Sequence, residues 1–211
     1  MRLFKRNKKI KGLISYYNLE SFWLEALNDR ERKIISENFN SGSIGSDSKD
    51  LLENNITEYP SSKLSFVKGQ VSRYTKPDFK DIGQKFVNLG NIEVINTNNT
   101  LDKHFYYAIL IKYYYRHRSE SDNMEFAIKT CNDQISISKE AKKEFNKDFP
   151  TDSLPSHTGF EQLAIILEKS KKISDGIDLC NRALSEGWWG DWEHRIERMN
   201  KKIKNECQHG V

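Results

Sequence analysis

Apolar positions in the last third of the chain fall into a helical rhythm. Phe160, Leu163, Ala164 and Leu167 recur at i, i+3, i+4 and i+7, which places them on one face of a helix. Thr158 followed by Glu161 has the spacing of a capping box, in which each side chain satisfies an unpaired N–H at the helix start. The polar run Lys171–Asp175 interrupts the pattern. Gly176, Cys180, Ala183 and Leu184 then share a second face, and Gly187 and Gly190 stop that helix. The stretch from His157 to Gly190 is therefore expected to be a helical hairpin.

Two more hairpins follow from the same rule. Leu101–Glu140 places Tyr107, Leu110, Ile111 and Tyr114 on its first helix, and Ala127, Cys131 and Ile135 on its second. Nearly every residue of Phe105–Tyr115 is apolar or aromatic, the pattern of a helix buried between neighbours. Arg118–Ser121 forms the turn, and Asp122 with Glu125 is another capping-box pair. In Ser62–Leu89, Val67, Gln70, Val71 and Tyr74 precede Pro77, which suits a first helical turn, and Ile82, Gly83, Phe86 and Leu89 follow. Asn88–Thr100 reads as an asparagine-rich loop in which Ile92–Ile95 has the character of a short strand.

The remaining pieces complete a four-part division. Residues 1–18 form a basic N-terminal segment, and 19–39 a pair of short helices in which Asn28 and Glu31 again have capping-box spacing. Residues 40–50 are a linker, built on the Gly- and Ser-rich Asn40–Ser48, and 51–211 hold the hairpins. After Gly190, Asp191 is a good N-cap. Trp192, Ile196, Met199 and Ile203 then mark the stripe of a final amphipathic helix that would cover the end of the array.

Phe160, Leu163, Ala164, Gly176, Cys180 and Ala183 stand at relative spacings that resemble a tetratricopeptide repeat, a helix–turn–helix unit of about 34 residues. The resemblance implies that Ala164 and Gly176 let the two helices approach closely. It also implies that first helices line a concave surface. The usual proline after the second helix is replaced by Trp188, and the small residues Gly83, Ala127 and Gly176 do not keep the 34-residue period. The expected fold is all-α, an irregular tetratricopeptide-like array with a C-terminal capping helix. The Gly190-Asp191-Trp192 stretch and what surrounds it, about the last 50 residues, is also similar to uncharacterised proteins of low-GC Gram-positive bacteria.

Composition narrows the function classes. The mean hydropathy is -0.76, yet aromatics reach 11%, enough burial to argue against disorder in a thin helical array. No segment has the run of about 20 apolar residues that spans a bilayer. The basic residues of Met1–Lys11 are not followed by the apolar stretch of a secretory signal, so a cytoplasmic location is expected. Three cysteines offer no disulfide framework, and no pair of His or Cys residues has metal-ligand spacing. Gly42–Ser46 lacks the lysine and strand of a phosphate loop. Cys131 and Cys180 occupy small-residue positions, and His157 has no nucleophile beside it in sequence. No catalytic residue, metal or cofactor is expected.

Recognition chemistry is concentrated in two places. Lys112, Tyr115, Arg116 and Arg118 combine aromatic and cationic groups, hot-spot chemistry for a protein partner and stacking chemistry for single-stranded nucleic acid. Three tryptophans crowd into five residues after the third hairpin. Trp188, Trp189 and Trp192 together either plug the junction between the last hairpin and the capping helix or form an exposed anchor for a partner, with Trp189 the candidate contact. The leading expectation is a protein-interaction module that takes a protein or peptide. The alternative is nucleic-acid binding through the basic N-terminus and the Tyr/Arg helix; a hydrolase or transferase with an unfamiliar site is the residual reading.

Overall fold

The computed structural model describes residues 10–39, 52–54, 61–150 and 153–209, with side chains through Asn205. The linker read at Asn40–Ser48 and the basic residues of 1–9 lie outside the described residues. The fold is all-α.

Helix α1 (Leu13–Tyr16) falls inside the basic segment, where the apolar trio Leu13, Ile14 and Tyr17 is buried. The first of the two short helices read in 19–39 is a π-helical turn, Phe22–Ala26. Its wide winding keeps Trp23 and Leu27 buried while Ala26 faces out. In α2 (Asp29–Asn38) the capping box forms as expected. Asn28 Oδ1 accepts from Glu31 N–H at 2.9 Å, and Glu31 Oε2 accepts from Asn28 N–H at 2.8 Å.

Helix α3 (Lys63–Arg73) starts at Ser62, whose hydroxyl accepts from Ser65 N–H. A 3-10 turn, Pro77–Phe79, leads into α4 (Lys80–Asn96). The strand expected at Ile92–Ile95 is helix instead. The buried face Phe86, Val87, Gly90 and Val94 continues at helical spacing, so the loop shrinks to residues 97–99.

Helices α5 (Thr100–Arg116) and α6 (Asn123–Ser136) form the next hairpin. Asp122 precedes α6 but makes no side-chain cap. Its backbone (φ -83, ψ 8) is not in the extended conformation that aims a capping side chain back at the helix. The second helix also ends before Glu140: a break at Ile137 starts a separate helix, α7 (Ser138–Asp148), which packs Ala141 and Phe145 toward α5.

The last hairpin is α8 (Thr158–Lys169) with α9 (Ile173–Glu186), followed by α10 (Trp192–His209). The N-cap of α8 is His157, not Thr158: its Nδ1 accepts from Phe160 N–H at 3.4 Å. Leu184, expected on the buried face of α9, is 41% exposed. Gly187 closes α9 in a Schellman motif. Its left-handed φ of 83° turns the chain so that its N–H reaches the Leu184 carbonyl and Trp188 N–H reaches that of Ala183. That turn delivers Trp188 into the core and leaves Trp189 outside it.

The hairpins α3/α4, α5/α6 and α8/α9 pack in sequence, with α3 against α5, α5 and α6 against α8, and α10 against α9. Two buried clusters result, one on each side of α5. Tyr106, Leu110, Tyr113 and Tyr114 face the N-terminal cluster, and Ile111 faces the C-terminal one. That dual burial is why Phe105–Tyr115 is apolar all round. Among the described residues no helix is long and apolar enough to cross a membrane.

Gly176 packs against both the capping helix and the opposing helix of its own hairpin, and lies closer to the capping helix. A Cβ there would lie 2.9 Å from Met199 Sδ and 3.7 Å from Leu167 Cβ. Gly176→Leu should therefore loosen α10 and lower stability by about 1–3 kcal/mol through overpacking. An unchanged thermal midpoint would show that this contact is looser than described.

A candidate partner-binding groove

Lys112, Tyr115 and Arg116 project from the last two turns of α5, and Arg118 follows its C-cap. With Ser72 and Thr75 at the end of α3, Ile109 of α5 and Gln162 of α8, they line an open groove of about 440 Å3. Its walls thus come from the first helices of all three hairpins. Four of the five residues singled out from the sequence meet there. Trp189 does not: it is 67% exposed on the loop before α10, where its N–H donates to the Pro155 carbonyl.

The back of α5 is fastened so that this face is presented in a fixed register. Tyr113 donates its hydroxyl to the Lys80 carbonyl and to Gln84 Oε1, each at 3.4 Å. The buried C-cap residue His117 donates from Nε2 to the Thr75 carbonyl at 3.1 Å, which ties the ends of α3 and α5 together. Asn123 Nδ2 donates to the His117 carbonyl and holds the turn into α6.

The groove carries positive charge that the described residues leave unmatched. Arg118 lies 4.6 Å over the Tyr115 ring, and Lys169 of α8 donates to the Tyr115 hydroxyl at 3.3 Å. Among the described residues neither these two cations nor Lys112 and Arg116 join an ion pair, although Lys80, Lys85 and Arg198 all do. Glu161 of α8 senses Lys112 and Arg195, but burial pushes its carboxyl up from the ordinary range. Gln162 lines the groove, but its Nε2 is buried and has no hydrogen-bond partner among the described residues, so it would donate to a ligand only if the amide turned outward. The sequence reading missed Lys169 and Gln162. Both sit in α8 more than 40 positions from the Tyr/Arg stretch, and only the packing of α8 on α5 brings them to it.

A second cleft, about 480 Å3, opens between α4 and α6 over Tyr107 and Tyr114. Its polar groups are largely spent on one another. Gln84 donates to Asn88, Asn91 accepts from the Tyr106 hydroxyl, and Lys129 pairs with Asp133 at 2.8 Å.

The remaining reactive side chains serve packing. Cys131 and Cys180 are fully buried, and burial raises both thiols, that of Cys131 to about 12, far from a reactive thiolate. His104 and His157 are buried against Trp188 and kept neutral by desolvation. No three His, Cys, Asp or Glu side chains among the described residues converge to hold a metal ion. What converges in the α3–α5–α8 groove is positive charge and an aromatic face, which suits binding an anionic group. Comparison with protein-family models, with curated proteins and with solved structures finds no match, so the tetratricopeptide resemblance rests on this chain's own residues.

Proposed function

We propose that the chain is a protein-interaction module, a tetratricopeptide-like hairpin array whose first helices present a groove to an acidic polypeptide segment. The observation that carries the reading is the set of cations Lys112, Arg116, Arg118 and Lys169, which join no ion pair among the described residues, around one half-buried aromatic, Tyr115. Cations left without carboxylates in a chain that pairs many of its other basic groups are complementary to an external anion. An aromatic held between them supplies the apolar contact that hot spots combine with charge.

Selection of displayed random peptides on the purified chain tests this. Acid-rich sequences should be enriched, and Arg116→Ala should weaken their binding about tenfold, the loss of one charge-assisted hydrogen bond at roughly 1.5 kcal/mol. Arg116 is exposed, so the variant should melt with the wild type. Enrichment with no acidic bias, or equal affinity for wild type and variant, would contradict the reading.

The cation-flanked ring of Tyr115 also favours a second reading, single-stranded nucleic acid stacked on that tyrosine. Both ligand classes are bound through charge, so the test of this reading is a salt titration of an oligonucleotide shift. Phosphate contacts make affinity fall steeply with salt. An electrophoretic shift that survives physiological salt and weakens on Arg116→Ala would put nucleic acid first.

A further inference from the structure

A single stripe of α5 joins the basic groove to an apolar pocket at the other end of the helix. Phe105, Ile109, Lys112 and Arg116 stand at i, i+4, i+7 and i+11, spacings that keep them on one face. Ile109, Lys112 and Arg116 line the basic groove. Phe105 is 40% exposed and walls a pocket of about 290 Å3 with Phe145, Phe149, Leu154 and Pro155. Phe149 is 51% exposed at its rim.

A cation also stands at the apolar end of the stripe. Lys68 of α3 holds its ammonium 5.1 Å over the Phe105 ring, and desolvation lowers its pKa from the ordinary lysine value. A basic region alone accepts any polyanion, and an apolar pocket alone accepts any hydrophobe. Their placement on one stripe selects a ligand that carries both features at a set separation. Phe105 and Arg116 are roughly 16 Å apart along the helix axis at 1.5 Å per residue. An extended peptide covers that span in about five residues. Each pocket is sized for side chains rather than for a whole helix.

We propose that the α5 stripe recognises an extended peptide bearing one large apolar side chain and, about five residues away, a short run of acidic side chains. The apolar side chain enters the Phe105–Phe149–Leu154 pocket while the carboxylates meet Lys112, Arg116 and Arg118. Trp189, tied to the pocket wall through the Pro155 carbonyl, stands beside the apolar end. The inference rests on the groove reading above and adds to it a second determinant and a spacing.

Fluorescein-labelled synthetic peptides titrated against the full chain test it by anisotropy. One peptide carries a Phe five residues from a Glu-Glu-Asp run, a second replaces that Phe by Ser, and a third shortens the spacer to one residue. The first should bind at least about tenfold more tightly than either of the others, the advantage expected from burying one aromatic. Phe149→Ser, at an exposed position that leaves the core intact, should abolish that advantage and leave the affinity of the Ser peptide unchanged. Equal affinity for the Phe and Ser peptides overturns this inference and leaves the basic groove standing. Binding by none of the three overturns both. A single-stranded oligonucleotide that binds more tightly than the Phe peptide also overturns the inference.

Discussion

Between pH 6.5 and about pH 4 the folded chain should lose several kcal/mol of stability, with the loss traceable to two histidines. His104 stacks on Trp188 at 5.5 Å between ring centroids, His157 meets the same indole edge-on at 4.7 Å, and the two imidazoles are 4.9 Å apart. Phe145 covers His104 from α7, and Phe160 covers His157 from α8. His104 Nδ1 and His157 Nε2 are buried and have no hydrogen-bond partner among the described residues. Desolvation lowers His104 from 6.5 to about 4. Desolvation, followed by the neighbouring His104 and more distantly Arg182, lowers His157 to about 3.

A pKa that is lower in the folded state means that the unfolded chain binds more protons in this window. Stability is therefore complete above pH 6.5 and falls as pH drops through that value toward the folded pKa. Each such proton contributes a slope of about 1.4 kcal/mol per pH unit. Glu168 does not confuse the upper part of the window. Arg198 and Lys202 hold its carboxyl at about 2, so its contribution is lost only below the ordinary carboxylate range of about 4.5. Denaturant midpoints measured from pH 7 to 4.5 should therefore decline. His157→Asn, which keeps a capping acceptor, should remove about half of that slope. A flat profile would mean that the imidazoles are hydrated rather than buried.

Gly83→Ala should be the most damaging alanine substitution among the described glycines. A Cβ at Gly83 would run into the carbonyl oxygen of Tyr74, well inside van der Waals contact, and lie 3.0 Å from Tyr113 Cε2. Backbone cannot swing aside as a side chain can, so α4 must shift away from the end of α3. Overpacking of this kind costs about 1–3 kcal/mol and outweighs the gain of about 1 kcal/mol that alanine brings to a helix interior. Gly69→Ala on α3 is the matched control, because nothing lies within 4 Å of its Cβ position. There the helix propensity acts alone and stability should rise by up to about 1 kcal/mol. Thermal unfolding of the pair reads both signs in one experiment. A neutral Gly83→Ala would show that α3 and α4 cross elsewhere.

What could be read from residue patterns tracks how local the physics is. The existence of the three helical hairpins, the Asn28–Glu31 box and the helix stop at Gly187 all depend on spacings of three to eleven residues and were legible, although the second helix of the first hairpin runs on to Asn96 and that of the middle one stops at Ser136. The misreadings occur where burial outside the segment decides. Ile92–Ile95 has strand-forming side chains, but Val94 continues the buried face of α4 and keeps the helix going. Helix α7 was missed because Ala141 and Phe145 are its main apolar contacts in a run of Lys and Glu. His157 caps α8 through a ring nitrogen, a role that composition rules assign to Thr158. Within the groove the α5 residues were legible as an aromatic–basic cluster. Lys169 and Gln162 were not, because helix packing and not sequence proximity brings them there. The apolar pocket escaped notice for the same reason: Phe105, Phe149 and Leu154 come from three separate elements.

The most direct test of where a partner binds is a backbone and side-chain amide chemical-shift map of the 15N-labelled chain, recorded while the Phe-bearing acidic peptide is titrated in. The groove reading predicts that the largest shifts run along Phe105–Arg118 and include the side-chain amide of Gln162 and the backbone near Leu154. Shifts concentrated instead in the α4–α6 cleft, at Gln84, Asn91 and Phe126, would contradict it.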